Sequence, residues 1–311
     1  MTGFLPRDAR QAYDREERKD AMKISEILEK NTLTLSFEVF PPKTSDSFES
    51  VRRATEEIAK TRPDFMSVTY GAGGSTSRYT LEIAENLLEN SDVVPLAHLT
   101  CVDSTKESIE ERLAAMRAAG IENIMALRGD IPKAPKLPRE EWAYQHANEL
   151  MCRIRDYGGF CIGGACYPET HPESLSRRDD IAYLKQKVEC GCEFLTSQMF
   201  FDNNIFFNFM YQVREAGIDV PVLPGIMPIT NASQISKSIS LSGTSLPQRF
   251  KSLVDRFGSD PASMMQAGIA YATDQIIDLY ANGINHVHVY AMNKPAVARK
   301  IMDNLSVILG K

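Results

Sequence analysis

The chain has 311 residues, 43% of them hydrophobic, with a formal net charge of −6 and a pI of about 5.5. No Lys/Arg tract interleaves with aromatics, which argues against a nucleic-acid surface, and no run approaches the roughly 18 apolar residues of a membrane span. The charge-dense start, MTGFLPRDARQAYDREERKDAMK, has no apolar leader core, so a soluble, cytoplasmic protein is expected.

Residues 1–30 read as an N-terminal helical extension, followed by a single domain over 31–311. From there short β-rich runs recur: 33–40 (LTLSFEVF), 64–71 (DFMSVTYG), 93–101 (VVPLAHLTC), 123–129 (NIMALRG), 160–168 (FCIGGACYP), 193–200 (EFLTSQMF), 220–228 (VPVLPGIMP) and 286–292 (HVHVYAM). Between them lie helical patterns with apolar residues at i, i+3 and i+4, such as SFESVRRATEEIAK and ESIEERLAAMRAAG, the latter stopped by Gly120. Most runs are apolar on both faces, as in a parallel sheet covered by helices. Eight βα repeats is the count at which such a sheet closes, so the expected fold is an α/β (β/α)8 TIM barrel. An open doubly wound sheet is the runner-up, but no G-x-G-x-x-G follows any strand. The Pro- and Lys-rich IPKAPKLPREE (131–141) reads as a loop or lid, and 240–262 as holding an extra short helix. Six cysteines are scattered through the elements. The C-G-C at 190–192 has no second pair or nearby His to complete a zinc site, so no metal is expected and the thiols read as buried and reduced.

In a barrel of this kind, catalytic groups sit at the C-terminal strand ends. Those ends carry Glu38, then Thr69-Tyr70-Gly71, His98, Arg128-Gly129-Asp130, Tyr167 through His171, Gln198, Pro224-Gly225-Ile226 and Asn293-Lys294. Glu38 is the sharpest case: a carboxylate closes an otherwise apolar strand just before Pro41-Pro42. It is either on the solvent side of an edge strand or aimed into a shared pocket, and the barrel favours the pocket. Singly, the others have plain alternatives. Arg128 and Asp130 suit a structural ion pair, His98 a satisfied core histidine, and Gln198 a loop cap. In YGAGGST, Gly71, Gly73 and Gly74 suit an ordinary turn or close approach to a phosphorylated ligand. On RRDDIAYLKQKVE, Asp180, Tyr183 and Lys187 lie at i, i+3 and i+7, either as a solvated face or as a polar wall against a cofactor.

SFEVFPPK, VTYGAGGS, AHLTC, ALRGD, CYPETHPE, QMFFD and PGIMP, in this order and spacing, resemble the corresponding segments of the methylenetetrahydrofolate reductase family, from about residue 33 to 308. The resemblance implies a short bacterial-type, catalytic-barrel-only flavoprotein of one-carbon metabolism and methionine biosynthesis. Such an oxidoreductase, acting on CH–NH donors, reduces 5,10-methylenetetrahydrofolate to 5-methyltetrahydrofolate. It implies non-covalent FAD, with NADH or NADPH as co-substrate and hydride passing in ping-pong fashion, and a homo-oligomer. By the same resemblance Glu38 is the general acid and Asp130 the carboxylate near flavin and pterin. Gln198, with Glu38, Asp130 and Lys294, binds folate. FAD contacts come from Thr69, His98, Arg128, Gly129, Asp130, Tyr167, His171, Asp180, Tyr183 and Lys187. Three positions depart from the family pattern: Gln186 in place of a basic residue, Ala232 where a ring commonly stacks, and Lys294 where Arg is usual.

The implied reaction gives Glu38 its task. The bridging methylene of the folate becomes a hydride acceptor only when its five-membered ring opens to an iminium, and protonating the departing nitrogen drives that opening. The acid must therefore keep its proton at neutral pH, aided by the apolar Phe37, Val39 and Phe40. Asp130, as a carboxylate, would stabilise the cation through space. Two other classes compete: a non-catalytic accessory subunit that binds flavin or folate, and a flavin-free barrel lyase or aldolase using Glu38 as base.

Overall fold

The computed structural model describes residues 22–42, 44–70, 77–235 and 243–311. Within them the expected (β/α)8 barrel forms. Its strands are β1 (Thr34–Val39), β2 (Phe65–Val68), β3 (Val94–Thr100), β4 (Asn123–Leu127), β5 (Cys161–Cys166), β6 (Phe194–Ser197), β7 (Val222–Leu223), β8 (Gly225–Ile226) and β9 (His286–Tyr290). All pairings are parallel, in the order β7-β6-β5-β4-β3-β2-β1-β9-β8. The two edges of that list are one chain segment. β7 pairs with β6 and β8 pairs with β9, so the seventh predicted run is a single strand broken at Pro224, and the ring closes through it. Pro224 has no N–H to give, yet its carbonyl accepts from His288 N at 3.0 Å, and Gly225 N turns to donate to Ser197 Oγ at 2.9 Å. Only glycine fits at 225, since a Cβ there would collide with the Ser197 carbonyl and the Tyr290 ring.

Side chains alternate about the barrel wall. Leu35, Phe37 and Val39 of β1 join the outer core beneath the helices, with Met66, Val68, Ala97, Leu99, Ile124 and Val289. The outer layer comprises α2 (Phe48–Ala59), α3 (Ser77–Asn90), α4 (Lys106–Ala118), α5 (Ala147–Tyr157), α6 (Arg177–Glu189), α7 (Asn203–Glu215), α8 (Gln248–Phe257), α9 (Pro261–Ala281) and α10 (Pro295–Leu309). Helix starts follow capping chemistry: Thr105, Ser176, Asp202 and Asp260 each accept a backbone N–H of the first turn. The extra helix expected within 240–262 is α8, whose Phe250 packs on Phe201 and Tyr271; residues 240–242 lie outside the described residues.

The inner layer at the bottom is apolar: Phe65, Leu96, Met125, Cys161, Phe194 and Leu223 meet Ile24, Ile27 and Leu28. Those three belong to a short helix, Ile24–Lys30, the described end of the N-terminal extension; residues 1–21 lie outside the described residues. The helix closes the barrel floor. Ile24 N donates to Asn123 Oδ1 at 2.8 Å, and Ser25 Oγ to Glu193 Oε2 at 2.7 Å. Burying three such aliphatic side chains stabilises the floor by about 2 kcal/mol each as an upper estimate.

One expectation fails. Cys152 and Cys190 are disulfide-bonded, with Cα atoms 4.5 Å apart, while Cys101, Cys161, Cys166 and Cys192 are free and buried. The barrel sets α5 beside the end of α6, which a separation of 38 residues conceals in the sequence.

Candidate active site

At the C-terminal end of β1, Glu38 faces into the barrel and is only 8% exposed. Register places Ser67 on one side of it and Tyr290 on the other. Ser67 Oγ lies 3.4 Å from Glu38 Oε2, His98 Nε2 of β3 lies 3.7 Å away, and His288 Nε2 of β9 lies 3.9 Å away. Burial pushes the His98 imidazole down to about 4, against the opposing pull of Glu38, so it is uncharged at neutral pH. Tyr290 donates to the Ser197 carbonyl at 2.6 Å, and burial, with the Glu38 and Tyr167 charges adding to it, holds its phenol well above the ordinary range. The chain beyond Glu38 is clamped: Phe40 N donates to Asn293 Oδ1, and Asn293 Nδ2 to the Phe40 carbonyl, both at 2.8 Å.

Beneath Glu38 lies a polar layer not anticipated from the sequence. His288 Nδ1 is 2.7 Å from Ser36 Oγ and its Nε2 is 3.2 Å from Ser67 Oγ. The Phe65 ring stacks on the imidazole at 6.1 Å between centroids. The signal was the period-2 alternation of HVHVY and SFE, which sends residues 286, 288 and 290, like 36 and 38, to one face.

The opposite side of the mouth is wetter. Arg128 at the end of β4 makes a bidentate pair with Glu173, at 2.5 and 2.8 Å, which raises the guanidinium further. Gly129 sits at φ +90°, and a Cβ there would press on Val102 and Thr100. Asp130 is exposed, and its charge reaches the Tyr167 phenol, which burial chiefly raises. The Tyr167 ring meets His171 edge-on at 4.5 Å, and burial lowers the His171 imidazole.

Asp180 is buried at the start of α6, accepting from His171 N at 3.2 Å and Ser174 Oγ at 3.0 Å, so it organises the loop after β5. The buried ammonium of Lys187 donates to the Ala165 carbonyl at 2.7 Å, and desolvation lowers it. Tyr183 does not join them: its side chain is 53% exposed. Gln198 Oε1 accepts from its neighbour Met199 N at 2.9 Å, and the Thr69 carbonyl accepts from Thr80 Oγ1 at 2.9 Å. Lys294 Nζ donates to Thr230 Oγ1 at 2.6 Å, and burial lowers the ammonium. Gln186 accepts from Asn148 between α6 and α5. Ala232 packs near Gly258. The 131–141 loop is pinned by Asp103, whose carboxylate accepts from Lys136 N and Leu137 N. Gly71, Gly73 and Gly74 lie outside the described residues. Among the buried polar atoms that make no hydrogen bond within the described residues, His98 Nε2 and Thr196 Oγ1 lie on barrel strands, while those of Asn86, Arg177 and Gln212 lie on outer helices. Paired groups are the rule in protein interiors, so the two on the strands are left with hydrogen-bonding capacity inside the barrel.

The family model for methylenetetrahydrofolate reductase matches residues 23–306. The chain is 34% identical over 300 residues to methylenetetrahydrofolate reductase (NADH) 1 of Arabidopsis thaliana, covering 92% of this chain and 50% of that protein. It is 30% identical over 289 residues to 5,10-methylenetetrahydrofolate reductase of Escherichia coli K12, covering 93% and 96%, and 32% identical over 275 residues to that of Pectobacterium carotovorum, covering 88% and 91%. It thus spans about half the length of the plant relatives and nearly all of the bacterial ones. A solved structure described as an uncharacterized protein from Clostridium thermocellum that binds two copies of 5-methyl-5,6,7,8-tetrahydrofolic acid shares the fold, with a TM-score of 0.63 at 12% identity over 92% of this chain and 100% of that one. With its barrel complete and a carboxylic acid buried at the mouth, the chain belongs to the methylenetetrahydrofolate reductase family.

Proposed function

We propose that this barrel reduces 5,10-methylenetetrahydrofolate to 5-methyltetrahydrofolate, with NADH or NADPH as the electron source and FAD as the bound cofactor. The observation that carries it is Glu38, an acid in a nearly dry pocket at a strand end, beside a neutral imidazole. The residues present suit a flavin. His98 Nε2 and Thr196 Oγ1 offer unmet hydrogen-bonding capacity, and Gly129 leaves room where a side chain would crowd the rim. Thr69, Arg128, Tyr167, His171, Asp180 and Lys187 are the further residues assigned to it. When bound, FAD supplies hydride transfer from pyridine nucleotide to folate in two separate half-reactions.

The chain's own residues do the rest. Glu38 gives its proton to the departing folate nitrogen, which opens the five-membered ring to the electrophilic iminium. Asp130, exposed at the rim, offsets the cation through a field that solvent screening weakens. Gln198 and Lys294 orient the folate, and Lys294 presents a point charge rather than the planar fork of Arg. Anaerobic stopped-flow of the flavin-loaded protein tests this, because it separates the half-reactions. Glu38→Gln should retain reduction by the donor and lose reoxidation by methylenetetrahydrofolate. Equal loss of both would remove Glu38 from the acid role, and a protein that takes up no flavin would end the proposal.

A further inference from the structure

Ser36, Ser67, His288 and Glu38 form one line inside the barrel, and all but Glu38 are at most 1% exposed. His288 Nε2 and Glu38 Oε2, 3.9 Å apart, are too distant to bond directly, so Ser67 stands between them, 3.2 Å from one and 3.4 Å from the other. A hydroxyl has one proton and cannot give it to both neighbours. Ser36 allows one resolution. Its hydroxyl has a second acceptor, the Val287 carbonyl at 3.3 Å, besides His288 Nδ1 at 2.7 Å. With the Ser36 proton on that carbonyl, His288 Nδ1–H donates to Ser36 Oγ, leaving Nε2 bare to take the Ser67 proton. Ser67 then shows Glu38 only a lone pair, and a hydrogen bond there requires the proton to sit on Glu38.

We propose that His288, anchored by Ser36, is a positioning residue that draws the Ser67 hydroxyl proton away from Glu38 and so keeps Glu38 in its proton-carrying form. This rests on Glu38 being the acid of the folate half-reaction. Once Glu38 has given up its proton, the line runs the other way: Ser36 donates to Nδ1, Nε2–H donates to Ser67, and Ser67 donates to the carboxylate. The line holds one proton fewer, that proton is on the folate, and water at the mouth returns it. Neither state leaves a member of the line itself without a hydrogen-bond partner. The groups facing Glu38 are Ser67 from β2, His98 from β3, and His288 and Tyr290 from β9. His98 and Tyr290 are both uncharged at neutral pH, so neither offsets the carboxylate.

The test follows both half-reactions by anaerobic stopped-flow of the flavin-loaded enzyme across the pH range about neutrality. His288→Phe should leave reduction by NADH or NADPH within about two-fold, slow folate-dependent reoxidation by about 10–100-fold at neutral pH, and move the alkaline limb of that step down by about one pH unit. His288→Gln, whose amide oxygen can take the Ser67 proton, should bring the limb back towards its original position. If His288→Phe does not bind flavin, Ser36→Ala decides: it frees the imidazole to change tautomer and should move the limb the same way by less. A limb that stays put or moves up in these variants overturns the proposal. Failure of the underlying role shows differently, as Glu38→Gln protein that still reduces folate.

Discussion

Two quadrants of one barrel mouth handle charge in opposite ways. Between β9 and β3, Glu38, Ser67, His288 and His98 are buried, and Ser67 links Glu38 to His288. Between β4 and β5, Arg128 and Glu173 form an ion pair open to solvent, and Asp130 is exposed beside them. In a dry site an ionised group pays heavily for lost hydration, so protonation state becomes the variable. In a wet site charge is cheap and screened, so it tunes its surroundings without switching. Under the proposed function, two acids at one opening thereby acquire different jobs: Glu38 would move a proton, and Asp130 would contribute a field.

Substitutions should separate the quadrants. The largest effect is expected for Glu38→Gln, with the folate step falling by about 10²–10⁴-fold in single-turnover stopped-flow. Next is acid stability. Burial depresses the His98 imidazole from 6.5 to about 4, so the folded protein binds fewer protons than the unfolded chain across that window. Stability is therefore full above the unfolded value and is lost as pH falls towards 4, by about 3 kcal/mol at most. His171 and His286 shift in the same direction. Urea titrations at stepped pH should show the slope flattening in His98→Asn; an unchanged slope would place the acid sensitivity elsewhere. Asn293→Ala, which removes both bonds to Phe40, should cost about 1–2 kcal/mol in thermal unfolding and slow the folate step more than reduction by the donor. The smallest effect belongs to the wet quadrant: Glu173→Gln should change stability by less than about 1 kcal/mol. A loss comparable to that of Asn293→Ala would erase the distinction between the two regions.

The barrel was legible in the sequence because its strands are apolar on both faces and evenly interleaved with helical patterns. Glu38 was legible for the converse reason, as a charge where nothing charged should be. His288 and Ser67 were not, since HVHVY and FMSV look like ordinary strand, and only the register of β1, β2 and β9 shows that the polar positions converge. Asn293 was read only as a strand end, because its clasp on Phe40 spans 253 residues of sequence. Tyr183 was drawn in by helical spacing alone. It lies about 60° round the helix from Asp180, enough to carry its ring into solvent while Asp180 and Lys187 turn inward. The Cys152–Cys190 bond and the floor helix depend on neighbours that only the closed ring supplies.

The break at Pro224 reaches beyond topology. Elsewhere adjacent staves are zipped along several residues, but on either side of this proline only two residues pair in each direction. The rim from Met227 to Ile235, which carries Thr230 and through it Lys294, thus hangs from the weakest stitch in the wall. If the proposed donor and folate use this opening in turn, the wall has there a place to widen while the other seven staves keep their grip.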